Sequence, residues 1–156
     1  VAASVLESIL ANLVTTGVGI TTVNGYDFTV DSAQRFDIER NSLVNLRTLI
    51  VSSIDQDKLV ETTRTIEWGA NVQIVFHVVH DRAADSRSTD AVLTEARANL
   101  WKAFMVDRRR GGYAVDTSIE NMTDFDLVTD DGRDTGVLLS LRIRYRHSAT
   151  DPAVVV

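Results

Sequence analysis

The chain predicts an α+β fold, an antiparallel sheet of about four to five strands with two principal helices packed on it. Near the C-terminus Val137, Leu139, Leu141, Ile143 and Tyr145 alternate with Leu138, Ser140, Arg142, Arg144 and Arg146. That period of two makes a strand with one apolar face and one largely guanidinium face. Two other segments carry apolar residues at helical spacing behind capping residues, and a threonine-rich stretch between them alternates as strands do.

Ser4 followed by Glu7 is a capping box, and Val5, Leu6, Ile9, Leu10, Leu13 and Val14 then share one stripe. A helix is expected over 4–16, with Gly17 as its stop. Asn24-Gly25 is a strong turn dipeptide inside the β-branched and aromatic stretch 19–30, where a short extended pair or a turn is expected. Residues 31–45 are polar and charged, with Phe36, Ile38, Leu43 and Val44 as scattered anchors, and predict no element. Segment 46–54 reads as a buried strand, Asp55-Gln56-Asp57 as a polar turn, and 59–68 as the start of a second strand. Gly69 suggests a bulge or bend before Ala70, Val72, Ile74, Phe76 and Val78 resume the alternation, so 46–80 is expected to be an antiparallel meander.

The loop 81–88 supplies capping residues for a second helix over 89–107, whose stripe is Val92, Leu93, Ala96, Leu100, Ala103 and Phe104. It is expected to stop at Arg108-Arg109-Arg110-Gly111-Gly112, where basic residues meet the negative helix end and glycine permits the turn. Asp130-Asp131-Gly132 turns into the final strand, and Asp151-Pro152 precedes a short apolar tail. Trp68, Trp101, Phe76 and Phe104 are expected in the core between the second helix and the sheet.

Composition bounds the function. A chain of 156 residues buries roughly 68–70% of the surface that it exposes when unfolded, so one domain over 1–156 is expected. No run of about 18 apolar residues offers a membrane span, and the N-terminal segment lacks a basic leader, so synthesis in the cytosol is expected. The absence of cysteine excludes disulfides, thiolate metal sites and cysteine nucleophiles. A net charge of −6 and a pI near 5.0 disfavour tight nonspecific phosphate binding and suit a surface past which DNA slides.

Candidate chemistry is sparse. His77, His80 and Asp81 are suitable metal ligands, but positions 77 and 80 of a strand point to opposite faces. Asp130, Asp131 and Asp134 cluster without the ligand spacing of a calcium loop. No nucleophile elbow and no phosphate-cradling glycine loop is present, so neither an enzymatic activity nor a cofactor is expected. The two arginine sets carry more. Arg108, Arg109 and Arg110 suit either a partner carboxylate or phosphate, or ordinary capping of the helix end. Arg142, Arg144 and Arg146 need carboxylates opposite them, in the same subunit or in a neighbour, and all six arginines are candidate assembly residues. The tail at 150–156 is either a docking segment that adds to a neighbour's sheet edge or a free end.

The order of these pieces resembles that of the tail terminator (tail completion) proteins of long-tailed bacteriophages, over almost the whole chain. The likeness rests on the N-terminal amphipathic helix, Asn24-Gly25-Tyr26, and the meander ending in Val75-Phe76-His77-Val78-Val79. It continues through Asp107-Arg108-Arg109-Arg110-Gly111-Gly112 and ends with Leu141-Arg142-Ile143-Arg144-Tyr145-Arg146-His147 leading to Asp151-Pro152. The resemblance implies a small α+β subunit that forms a homo-hexameric ring on the tail tube protein at the head-proximal end of the virion tail. Such a ring halts tube polymerisation, meets the head–tail connector protein, and lets DNA pass its lumen without specific binding and with no membrane involved. A head–tail connector or other neck protein, a nucleic-acid-binding module and a small enzyme are the rival expectations.

Overall fold

A computed structural model describes residues 2–36, 47–80, 83–129 and 132–156, with the side chains of 127–129 and 132–134 left aside. The chain runs α1 (Val5–Val18), β1 (Ser32–Arg35), β2 (Arg47–Glu61), β3 (Thr65–Val78), α2 (Thr89–Met105), a short 3-10 turn (Arg110–Gly112), β4 (Ala114–Thr129) and β5 (Gly132–Ser148). Among the described residues the strands form a five-stranded sheet in the order β1-β2-β3-β5-β4. β1 lies parallel to β2 and all other neighbours are antiparallel, so the α+β class is as the patterns predict.

Ser4 starts α1 by accepting the Glu7 N–H at 3.1 Å, which satisfies one of the free donors of the first turn. Gly17 is not the stop that its place after the apolar stripe suggests: α1 runs on to Val18, with Gly19 as its C-cap. A Cβ on Gly17 would lie 2.9 Å from Leu49 Cδ1 and 3.0 Å from the Ala33 Cβ. Its bare backbone therefore lets the helix settle against β1 and β2. Asn24-Gly25 makes the expected turn, with Gly25 at φ +87°. In α2 the Ser88 hydroxyl accepts the Ala91 N–H at 3.2 Å.

The apolar stripes of both helices meet one face of the sheet. Ile9, Leu10 and Leu13 of α1 and Leu100 and Phe104 of α2 are buried with Leu49, Ile74, Phe76, Leu139, Leu141 and Ile143 from the strands. Each such side chain contributes about 1.5–3 kcal/mol through removal of apolar surface from water. Val137, Leu139, Leu141, Ile143 and Tyr145 are all buried, as their alternation predicts. Trp101 is a correction. It is 50% exposed, because position 101 sits one residue beyond the Leu93, Ala96, Leu100, Ala103 stripe and points away from the sheet.

β2 is a second correction. Asp55-Gln56-Asp57 is not a turn, since the strand continues to Glu61 and the hairpin closes at 62–64, where the Thr62 N–H donates to Thr65 O at 2.8 Å. The polar run lies on a stretch that β1 does not reach, so no buried face imposed alternation on it. Gly69 is not a bulge either: β3 pairs continuously with β5, and the irregularities lie opposite, on β2, around Ile54 and Leu59. Residues 32–35 form β1, which the charged composition of 31–45 conceals; 37–46 lie outside the described residues.

β4 and β5 pair up to Thr129 and Gly132, while Asp130 and Asp131 of the expected turn lie outside the described residues. Gly136 stands between Phe125 on β4 and His77 on β3, whose rings meet edge-on at 5.4 Å. A Cβ on Gly136 would fall 2.7 Å from Phe125 Cζ, so its absence makes room for that contact. The segment 149–156 folds back on its own chain, with Ser148 N–H donating to Val154 O and Val5 N–H to Pro152 O, both at 2.9 Å.

Candidate assembly interface

The alternation of β5 decides where its arginines go. With Leu141, Ile143 and Tyr145 on the helix-covered face, Arg142, Arg144 and Arg146 stand on the opposite, uncovered face. Their carboxylates come from the same chain. Arg142 pairs with Asp57 at 2.7 Å and donates to Asn71 Oδ1 at 3.1 Å. Its guanidinium lies over Gly69, where a Cβ would come within 2.2 Å of Nη2. Arg144 donates from Nε and Nη2 to Glu67 Oε1 at 3.0 and 2.6 Å, and Arg146 from Nε to Glu67 Oε2 at 2.6 Å.

Glu67 is the centre of this network. Its side chain is only 6% exposed, and the hydrogen bonds from Arg144 and then Arg146 hold its carboxyl below the usual carboxylate range. The hydrogen bond from Arg142 likewise lowers the carboxyl of Asp57. The guanidinium face thus finds carboxylates within the subunit, two for its three arginines, the first of the two alternatives that the sequence leaves open. A charge reversal at Arg144 would confront Glu67 with a second carboxylate, so the fold itself would respond.

Arg108, Arg109 and Arg110 do not act together. Arg108 makes a bidentate pair with Asp116 on β4, both bonds at 2.8 Å. Arg109 is exposed. Arg110 is wholly buried, with φ +50°, and its Nη2 donates to the carbonyls of Asp107 and, at 2.6 Å, Phe104. Phe104 O lies in the last turn of α2, so Arg110 caps the helix from inside the protein. Desolvation lowers its pKa, against the opposing charge of Asp107.

The histidines turn to different partners. His77 meets Phe125, whereas His80 places Nδ1 3.3 Å from Thr89 Oγ1 and Nε2 3.1 Å from Asp85 O. Asp81 lies outside the described residues. Among the described residues no three His, Cys, Asp or Glu gather as a metal site. No described helix is long and apolar enough to cross a membrane.

The structure adds two surface features that sequence patterns missed. On the outer half of β2, register shifts between Ser53 and Asp55 and between Lys58 and Val60 leave Ile54 and Leu59 as extra residues. A bulge re-aims the side chain that it carries. Ile54, Leu59 and Val60 are 57%, 41% and 52% exposed. On α2, Trp101 follows Arg97 by one turn, and Arg97 pairs with Asp124 of β4, so Trp101 lies on the flank of α2 that borders the outermost strand. A comparison of the chain with protein-family models and with curated proteins finds no match.

Proposed function

We propose that this chain is a structural virion protein, a tail terminator whose ring caps the tail tube, stops its growth and joins the tail to the head connector. The observation that supports this reading best is the exposed apolar set on the outer half of β2. Edge strands of soluble proteins are usually blunted with charge, and bulges commonly serve that protection. Here the bulged residues are Ile54 and Leu59, an arrangement suited to a strand that meets another protein. The proposed partners are further copies of the chain, the tail tube protein and the head–tail connector.

The test is to add the purified chain to tail tube protein under polymerising conditions and to measure tube length and end structure by electron microscopy. Short tubes carrying a ring at one end are expected. Tubes of unchanged length with bare ends would refute the terminator role, and binding to connector or portal complexes alone would assign the chain to the neck. Retention of DNA that falls steeply with salt would point to nucleic-acid binding instead.

A further inference from the structure

We propose that Asn24 is a site of spontaneous modification, where the side-chain amide is lost by ring closure onto the next backbone nitrogen, and that the folded turn holds this reaction back. Asn24 is the one asparagine of the chain followed by glycine. Asparagine amides are heat-labile, and ring closure is easiest before glycine, where no Cβ crowds the attacking nitrogen. The Gly25 nitrogen gives up its proton and bonds to Asn24 Cγ, while the Cγ–Nδ2 bond breaks and that nitrogen leaves as ammonia. Water then opens the cyclic imide at either carbonyl, giving aspartate or isoaspartate. Both reacting groups belong to this chain, so neither a partner nor an assembly is needed.

Solvent reaches the site, since Asn24 and Gly25 are both exposed. Each reacting group is nevertheless engaged elsewhere. Asn24 Nδ2 donates to Gly19 O at 2.8 Å, and the Gly25 N–H donates to Thr22 O at 3.1 Å. Flanking bonds fix the backbone around them, from the Asn24 N–H to Thr21 O at 3.1 Å and from the Tyr26 N–H to Thr21 O at 3.2 Å. Lys102 closes the turn from α2: its Nζ donates to Gly25 O at 2.8 Å and stands 4.8 Å from the centre of the Tyr26 ring. Attack on Cγ therefore requires the turn to open first, and the rate follows the open population. In the products a carboxylate oxygen replaces the donor that faced Gly19 O, at the C-cap of α1. Aspartate loses that bond, and isoaspartate, whose main chain gains a methylene, loses the turn as well.

The test follows Asn24 by peptide mapping and mass spectrometry while the full chain is held at mildly alkaline pH, folded in buffer or unfolded in urea. In urea, conversion at Asn24 is expected to outrun that at every other asparagine. In the folded chain it should be at least about tenfold slower. Gly25→Ala, compared in urea where its effect on folding does not matter, should lose most of the conversion. The isoaspartate chain, refolded by dilution, should exchange the amide protons of Gly25 and Tyr26 with deuterium faster than the native chain does. Equal rates in buffer and urea, or a folded rate above the urea rate, would overturn the proposal by showing that the turn does not restrain the reaction. A lack of conversion at Asn24 in urea, or full conversion in Gly25→Ala, would overturn it by removing the site.

Discussion

Replacing Glu67 with Gln keeps the shape of the side chain and removes the charge that Arg144 and Arg146 share. Two effects compete. Loss of the carboxylate weakens three charge-assisted hydrogen bonds, and bonds to charged groups contribute about 1.5–3 kcal/mol each when measured singly. Against that, the arginine side chains are 48% and 45% exposed, so water takes back much of what they lose. The cost should therefore stay below the roughly 3–5 kcal/mol of breaking a wholly buried pair, at about 1–3 kcal/mol. For a domain of this length that corresponds to a fall in Tm of about 2–4 °C per kcal/mol.

The assay is urea denaturation followed by tryptophan fluorescence, repeated across pH. The folded state holds the carboxyl of Glu67 below its ordinary value of 4.5. Its ionised form is therefore favoured by folding, and the stabilisation is present above that value and lost as pH falls through the folded-state pKa. The gap between the native chain and Glu67→Gln should be full at neutral pH, stay so down to the ordinary value of 4.5, and shrink as pH falls further through the folded-state pKa. An undiminished gap in acid, or a variant as stable as the native chain at pH 7, would refute the role given to this carboxylate.

Gly69→Ala should cost no more than about 1 kcal/mol, because the new methyl group displaces only the end of the Arg142 side chain and with it the pair to Asp57; in an Arg142→Ala background that loss should vanish in a double-mutant cycle. Arg110→Ala should open a cavity and leave Phe104 O without its side-chain donor, but it also removes two buried guanidinium nitrogens that have no partner, so the net cost should be about 1–3 kcal/mol, and calorimetry would read it directly. The native chain should keep a level urea midpoint from neutrality down to about pH 5 and lose stability in stronger acid. Asp57, Glu67 and Asp116 are all lowered by arginine, and Asp85 is held at about 2 by Arg87.

The parts of the fold that could be read in advance are those where burial imposes a period. β5 is covered by helices on one face, and its alternation survives in the sequence from Val137 to Tyr145. The stripes of α1 and α2 are legible for the same reason. The outer half of β2 has no buried face, so Asp55, Gln56 and Asp57 look like a turn although the backbone stays extended. β1 is four residues long and only half-buried, too short to show any period. Trp101 misleads because an aromatic next to Leu100 invites a place in the core, while one step along a helix turns a side chain by about 100°.

The candidate site was legible in its residues and illegible in its pairings. Arg142, Arg144 and Arg146 announce that they need anions, yet nothing local says that Glu67, some eighty positions earlier, serves two of these arginines with one carboxylate. The one available signal was parity: Glu67 falls on the opposite face from Ala70, Val72 and Ile74, and so must share the uncovered side of the sheet with those arginines. Likewise Arg108, Arg109 and Arg110 read as one basic cluster. Their separation into a surface pair, an exposed side chain and an internal cap follows from the positive φ of Arg110, which composition does not reveal.

Phe125 reaching across Gly136 to His77 has a dynamic consequence. It buttons the outermost strand to the third strand of the sheet near the Thr129–Gly132 end of the hairpin, so peeling of β4 should begin at Ala114. Amide protons along β4 should then exchange with deuterium in a gradient, fastest near Ala114 and slowest beside Phe125.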